Sequence, residues 1–174
     1  FLAISGNTKN SEKALILETD RKIQMCNTAI GLVAHPVKAN IENLSDKVNS
    51  PYADYAPVLS ADGKKLFFTS RRPEEKGERR DSEGNFMEDI YMSVKTEAGW
   101  SQATNIGSPI NSQWHEATVG LSPDAQTILI YKDEDGVGNI YSTSLNGDEW
   151  SEPVKLNKNI NTEVQLTLMS KTVY

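Results

Sequence analysis

The sequence predicts a mainly β fold, in which two four-stranded antiparallel sheets follow an N-terminal α-helical segment. Residues 49–110 and 111–160 contain the same order of turn, strand and aromatic residues, which identifies an internal repeat. Ahead of the repeat, apolar residues recur at helical spacing until Pro36. The repeat predicts the sheets, and the periodic segment predicts the helix.

The two copies align without gaps over their first part and again after a hairpin that is longer in the first copy. Leu66-Phe67-Phe68 aligns with Ile128-Leu129-Ile130, and Ile90-Tyr91 with Ile140-Tyr141. The residues that define the repeat motif are Ser60, Asp62, Gly63, Arg71, Asp89, Tyr91 and Trp100 in the first copy and His115, Glu116, Ser122, Asp124, Tyr141 and Trp150 in the second.

Each copy contains four short segments typical of strands. The first strand opens at Val58-Leu59 in the first copy, and the buried second strands are rich in β-branched and aromatic residues. The predicted second, third and fourth strands are 65–69, 88–94 and 100–106 in the first copy and 127–131, 138–143 and 150–156 in the second. Four antiparallel strands of this length form one propeller blade, so the sequence predicts blades at 49–110 and 111–160.

Residues 161–174 are expected to start a further strand. They lack the Ser-x-Asp-Gly turn of the first copy, so either a third blade begins atypically or intervening residues are missing. Because a propeller closes with about four to eight blades, we expect this region to be part of a larger β-propeller, completed by a longer chain or by other copies.

The Ser-x-Asp-x motif predicts the turn between the first two strands of each copy. Ser60 and Ser122 supply hydroxyl acceptors, and Gly63 favours positive φ. Ala125 stands where the second copy would favour glycine, which would cost about 1 kcal/mol if that position has positive φ.

The N-terminal segment predicts one amphipathic helix or two short ones. Ser11 is a suitable N-cap, and Ile16, Ile23 and Cys26 begin an apolar stripe at helical spacing. Cys26 is expected to be a buried small apolar residue, because nothing near it in the sequence would activate a thiol.

The run from Ala56 to Arg72, the run from His115 to Asp124 and the Asp-Ile-Tyr and Asn-Ile-Tyr strands resemble WD40-like, TolB-type propeller repeats. More narrowly, the helix followed by Pro36, Asn43-Leu44 and Asn49-Ser50 resembles the junction between tetratricopeptide-like helices and the propeller in OmpA-family envelope proteins of Bacteroidota. The resemblance implies two domains: the end of a tetratricopeptide-like region at 1–40 and a partial propeller at 41–174.

This resemblance implies a non-enzymatic protein–protein interaction or scaffold module of the bacterial cell envelope. Its location would be the periplasm or the outer membrane, its partners would be other envelope proteins, and some members belong to type IX secretion and gliding complexes. Binding of peptidoglycan is implied only for domains outside this chain. Two alternatives remain open: the accessory propeller of a prolyl-oligopeptidase-like peptidase, or a glycan-binding propeller that uses Trp100, Trp114 and Trp150.

Composition excludes several classes of function. The chain has a net charge of -6 and 37% hydrophobic residues, whereas nucleic-acid binding requires clustered positive charge. No stretch has the roughly 20 apolar residues of a membrane span. His35 and His115 are the two histidines, without metal-ligand spacing, and no motif indicates an enzyme or a cofactor.

Two loops are the remaining candidates for sites. Asp133 and Asp135 carry oxygen ligands suited to calcium, although their loop lacks the EF-hand pattern. The charged hairpin 72–87 has the composition of a solvated loop or a partner-docking element. Its candidate partner-binding residues are Arg72, Glu74, Glu75, Lys76, Arg79 and Arg80.

The sequence also predicts two polar contacts that stabilise the fold. His115 and Glu116 lie where one copy leads into the next, which predicts a hydrogen bond between the blades. Arg71 lies just before the charged hairpin, and we expect it to pair with Asp89 on the neighbouring strand.

Overall fold

The computed structural model describes residues 2–73, 79–134 and 136–162. The chain divides into two compact units, a helical unit, Phe1–Glu42, and a sheet unit, Asn43–Tyr174. Three predictions concern residues outside the described ranges: the further strand beyond residue 162, the calcium candidate Asp135, and the docking candidates Glu74, Glu75 and Lys76.

The helical unit contains one helix, α1, Leu2–Ala34. It ends two residues before Pro36, whose ring and missing N–H are incompatible with continuation. The helix begins before Ser11, so the predicted N-cap lies inside it. None of the helices in the described part of the chain combines the length and apolarity that crossing a membrane requires.

Cys26 is exposed, so the prediction that its side chain is buried is wrong. The rest of the apolar stripe is exposed as well, including Ile16, Ile23, Ile30 and Val33. In the described part of the helical unit, α1 is the one helix or strand, and the unit therefore provides no second element that could cover the stripe.

The sheet unit contains two antiparallel sheets of five strands each. The first sheet consists of β1 Asp54–Leu59, β2 Lys65–Ser70, β3 Asp89–Thr96, β4 Gly99–Trp100 and β5 Thr104–Asn105. The second sheet consists of β6 His115–Leu121, β7 Thr127–Glu134, β8 Val137–Asn146, β9 Glu149–Trp150 and β10 Val154–Lys155. A mainly β chain with two antiparallel sheets and an N-terminal helix is thereby confirmed.

The predicted fourth strand is divided into two short strands in each sheet. Between them, a serine hydroxyl takes the place of a backbone acceptor: Ser101 Oγ accepts from Val94 N–H at 3.0 Å, and Ser151 Oγ accepts from Ser144 N–H at 3.1 Å. The side chain satisfies the backbone donor but interrupts the regular ladder of the sheet.

The predicted turns between the first two strands have the expected chemistry. Ser60 Oγ accepts from Lys65 N–H at 2.8 Å, and Ser122 Oγ accepts from Thr127 N–H at 2.9 Å. Gly63 has φ of 69° and Ala125 has φ of 56°. Alanine therefore adopts the left-handed conformation in the second copy, at a cost of about 1 kcal/mol.

A five-residue turn precedes each sheet and occurs again after the second one. The turns are 45–49, 107–111 and 157–161, and the last amide of each donates to the first carbonyl at 2.9, 2.9 and 3.0 Å. We call them the first, second and third turns. Each ends in an asparagine, namely Asn49, Asn111 and Asn161.

The asparagines of the second and third turns bind the preceding sheet. Asn111 accepts from Ile90 N–H at 2.9 Å and donates to Ile90 C=O at 2.8 Å. Asn161 makes the same two bonds with Ile140, at 2.7 and 2.9 Å. One carboxamide thus satisfies both polar backbone groups of an isoleucine.

Two apolar clusters lie on opposite faces of the first sheet, because successive side chains in a strand point to opposite sides. The first cluster contains Val48, Leu66, Phe68, Tyr91 and Ala103, with Trp100 packed against it. The second cluster lies between the sheets and contains Phe67, Ile90, Ile110, Ile128 and Ile130, with Trp150 packed against it.

The two repeated tryptophans therefore contact apolar clusters. The Trp150 ring lies perpendicular to Phe67, with the ring centroids 6.0 Å apart, and Trp100 contacts the equivalent cluster of the first sheet. These contacts favour the packing role of the two rings over a role in stacking on sugars.

Strand β6 also makes hydrogen bonds to the first sheet. Glu116 N–H donates to Glu88 C=O at 3.0 Å, and Thr118 N–H donates to Thr69 Oγ1 at 3.0 Å. The Thr118 hydroxyl donates to Ala56 C=O. The sheets are consequently joined by directional bonds in addition to the second apolar cluster.

We predict that Asn111→Ala lowers the free energy of unfolding of this chain by about 1 to 3 kcal/mol, because it leaves the N–H of the fully buried Ile90 without its partner and removes one of the two hydrogen bonds to the Ile90 carbonyl, which keeps the bond from Ile106 N–H. The matched control is Asn49→Ala. Asn49 is exposed, and its amide donates to Asn43, so we expect a loss below about 1 kcal/mol. Urea denaturation measures the free energy of unfolding of both variants. Equal losses for the two variants would contradict the role of Asn111.

Candidate functional site

Polar side chains from both sheets meet around the buried carboxylate of Glu88. Arg71 donates to Glu88 Oε1 at 2.9 Å and to Asp81 at 3.0 Å, and the Tyr55 hydroxyl donates to the same Glu88 oxygen. His115 Nδ1 lies 3.2 Å from Glu88 Oε2. The predicted contact of His115 between the two copies is thus present, with Glu88 as its partner.

The predicted pair of Arg71 with Asp89 is wrong. Arg71 binds Asp81 and Glu88 instead, and Asp89 accepts two bonds from Arg79, each at 3.0 Å. The repeat could not predict these pairings, because Arg79 and Asp81 lie in a hairpin that is longer in the first copy than in the second.

The Glu88 cluster changes the ionisation of its members. Burial alone would raise the pKa of Glu88, but hydrogen bonds from His115 and Tyr55 and the charge of Arg71 outweigh it and lower this pKa. The hydrogen bond to Glu88 raises the pKa of His115 against the opposing effect of burial. Burial, followed by the negative charge of Glu88, raises the pKa of Tyr55.

Glu116 is fully buried at the start of the second sheet. Its carboxyl accepts hydrogen bonds from the backbone and the hydroxyl of Ser112. Burial raises its pKa, and the bonds from Ser112 compensate in part. The first sheet has the equivalent arrangement, in which Ser50 donates to Asp54, so these two contacts belong to the repeat.

A cleft of about 830 Å³ lies beside the second turn. Residues from four places line it: the segment directly after β2, the charged hairpin, the first sheet from β3 to β5, and the second turn with the residues that follow it. Its lining includes Arg72, Arg79, Tyr91, Gln102, Asn105 and Gln113. We call this the arginine cleft.

Arg72 is fixed in the wall of the arginine cleft. Its Nε donates to Ser70 Oγ at 2.8 Å, and its Nη2 donates to Val48 C=O at 2.7 Å and to Asp54 at 2.8 Å. The guanidinium carbon lies 4.6 Å from the centroid of the Tyr91 ring. This stacking and the three bonds hold the guanidinium plane in one orientation.

Arg79 forms another part of the wall and comes from the charged hairpin. Besides its two bonds to Asp89, it donates to the carbonyl of Ser112, directly after the second turn. Asp81 in the same hairpin binds Arg71, and Phe86 packs edge-on against Tyr52 with centroids 5.4 Å apart. The described part of the hairpin, residues 79–87, therefore packs against the sheets and is not a fully solvated loop.

Arg80 and Asp133 are the other docking and metal candidates that the structure describes. Arg80 is exposed and stacks on Phe86 at 3.9 Å. One oxygen of Asp133 is buried without a hydrogen-bond partner, but the described residues contain no group of three or more His, Cys, Asp or Glu side chains that could hold a metal ion. Within that part of the chain, calcium thus has no complete set of ligands.

The histidines have structural contacts. His35 Nδ1 lies 3.2 Å from the carbonyl of Gly31, and His115 binds Glu88. Among the described residues, neither imidazole has a hydrogen bond to a serine, threonine or cysteine side chain. The contact of an imidazole with a hydroxyl or thiol, which activates the nucleophile in many hydrolases, is therefore absent among the described residues.

Arg72 and Arg79 are among the residues predicted from the sequence, but the cleft between them is not. Tyr91 is predicted only as part of the repeat, and Gln102 and Gln113 are not predicted at all. A signal was present, since Glu134 occupies the position of Arg72 in the second copy. A reversal of charge at equivalent positions shows that the two copies differ locally at this point.

Comparison of the chain with protein-family models, with curated proteins and with solved structures found no match in any of the three. The resemblance to propeller repeats therefore depends on the sequence motifs. The two antiparallel sheets are compatible with it.

We predict that His115 stabilises the fold more at low pH than at high pH. Because its pKa is raised in the folded protein, its contribution is complete below its ordinary value of 6.5 and is lost as pH rises through the folded pKa. Its partner Glu88 has a pKa lowered below its ordinary value of 4.5, so it is charged at both pH values used here. His115→Gln should therefore cost about 1 to 2 kcal/mol near pH 5.5 and clearly less near pH 9.

The measurement is urea denaturation of the wild type and the variant at both pH values. His35→Gln is the matched control, because His35 is exposed and contacts only the end of its own helix. A loss for His115→Gln that is the same at both pH values would show that the Glu88 contact does not depend on a charged imidazole.

Proposed function

We propose that this chain is part of a WD40-like β-propeller and serves as a non-enzymatic protein–protein interaction module of the bacterial cell envelope. The observation that supports it most is the repeated arrangement of a five-residue turn followed by an antiparallel sheet. The second turn connects the two sheets, and the third turn repeats its hydrogen bonds after the second sheet.

The arrangement of the sheets supports a longer array of such repeats. The second sheet packs on the first through Phe67, Ile90, Ile128 and Ile130. In the second sheet, the residues equivalent to Phe67 and Ile90 are Leu129 and Ile140, and both are only half-buried. Another repeat, placed as the second sheet is placed on the first, would cover them and bury further apolar surface.

The arginine cleft supports an interaction role. Its wall is built from fixed side chains: Arg72 has three hydrogen bonds and an aromatic contact, and Arg79 bonds to both sides of the cleft. Preorganised polar groups lose little conformational entropy on binding. The envelope location and the envelope partners come from the family resemblance.

The test is site-specific photo-crosslinking in the full-length protein, in the bacterium that produces it. A photoreactive amino acid replaces Gln113 at the arginine cleft, and the matched control replaces Gln126, an exposed glutamine on the turn between β6 and β7. We predict a discrete crosslinked envelope protein from position 113 and none from position 126.

Crosslinks that are equal at the two positions, or absent from position 113, would contradict an interaction role for this face. A second readout addresses the peptidase alternative. If the purified full-length protein hydrolysed short peptides, this region would be the accessory propeller of a peptidase. The scaffold proposal would then be wrong.

A further inference from the structure

The arginine cleft contains fixed positive groups at its wall, although the whole chain has a net charge of -6. Among its described lining residues, Arg72 and Arg79 are the charged ones. Among the described residues, carboxylates that pair with them lie behind the wall: the side chains of Asp54 and Asp89 are 14% and 2% exposed. A ligand beside Arg72 therefore meets the guanidinium before the carboxylate of Asp54.

We propose that the arginine cleft binds the carboxylate of an acidic side chain, Asp or Glu, on a protein partner. This inference depends on the proposed interaction function and specifies what the site recognises. The carboxylate receives hydrogen bonds from Arg72 Nη1, and the amides of Gln102 and Gln113 bind the groups beside it.

Arg72 has the donors that this role requires. Its Nε and Nη2 are used by Ser70, Val48 and Asp54, whereas Nη1 has no hydrogen-bond partner among the described residues. A guanidinium has five N–H donors in a fixed plane. The two on Nη1 remain available, and the contacts with Tyr91 and Phe68, at 4.6 and 5.3 Å, fix the plane in which they lie.

The charge balance favours a carboxylate over a phosphate. Asp54 and Asp89 already neutralise most of the charge of the two arginines, so the cleft cannot compensate a dianion. A single negative charge with two oxygen acceptors matches the remaining donors of Nη1 and the neutral amides around them. Charge-assisted bonds of this kind are about twice as strong as neutral ones.

The size and the other walls of the cleft favour a peptide segment over a free ion. A volume of about 830 Å³ accommodates several residues. Gln102 and Gln113 are exposed, and neither side chain has a hydrogen bond to a described residue. Each amide provides both donors and an acceptor, which suits the backbone groups on either side of an acidic residue.

The test uses nuclear magnetic resonance titration of the ¹⁵N-labelled chain. The probe is a five-residue peptide, acetyl-Gly-Ser-Glu-Ser-Gly-amide. We expect saturable shifts in the millimolar range at the side-chain amides of Gln102 and Gln113 and at the backbone amides around Arg72. The same peptide with Gln in place of Glu should bind about tenfold more weakly.

Protein variants separate recognition from folding. Arg72→Gln should abolish the preference for the Glu peptide. Because Arg72 also supports the first turn, the double variant Gln102→Ala/Gln113→Ala provides a second test that leaves internal hydrogen bonds unchanged, and it should weaken binding about threefold or more. Gln126→Ala is the matched control and should bind as the wild type does.

Equal affinity for the Glu and Gln peptides, or shifts confined to other parts of the chain, would overturn the inference. A third peptide, with a free terminal carboxylate and no acidic side chain, tests the other source of a carboxylate. Its stronger binding would assign the cleft to chain termini and would contradict the side-chain proposal.

Failure of acidic recognition is distinguishable from failure of the proposed interaction function. If the protein crosslinks a partner through position 113 but shows no preference for Glu, the interaction role remains and acidic recognition is wrong. If Glu recognition is present but position 113 captures no protein in the cell, the chemistry of the cleft is right and the cellular role is wrong.

Discussion

The position of the second sheet depends on the hydrogen bonds of β6 and of the second turn to the first sheet. Glu116 and Thr118 direct their N–H groups to Glu88 and Thr69, and Asn111 satisfies both backbone groups of Ile90. A buried backbone group without a partner costs about 1 to 3 kcal/mol, so these bonds permit few alternative placements. The apolar cluster between the sheets supplies the non-directional part of the attraction.

The repeat made the sheets predictable. Strand residues, the Ser-x-Asp turn and the positions of the tryptophans depend on local sequence and are present in both copies, as Ser60 and Ser122 illustrate. The errors concern features that occur once. Arg71 was paired with Asp89 because no second copy showed that Arg79 takes this carboxylate, and Cys26 was expected to be buried although periodicity cannot show whether another element covers a helix.

The arginine cleft was not predicted for the same reason, because it consists of features that occur in one copy only. The arginine cleft is formed where the first copy departs from the second: Arg72 replaces the acidic residue of the equivalent position, and the longer hairpin supplies Arg79. Periodicity predicts what the copies share, so it cannot predict features that one copy has and the other lacks. The folded arrangement was needed to show that Gln102 and Gln113, from different segments, lie on the same cleft as Arg72.

Amide hydrogen exchange at Glu116 and Thr118 tests the central claim, the joining of the two sheets, most directly. Their N–H groups bind the first sheet, so an isolated second sheet would leave them unprotected while Ile130 in the same sheet stayed protected. The account predicts protection of Glu116 and Thr118 close to that of Ile130. Rapid exchange of these two amides beside a protected Ile130 would contradict it, because the sheets would then fold without this interface.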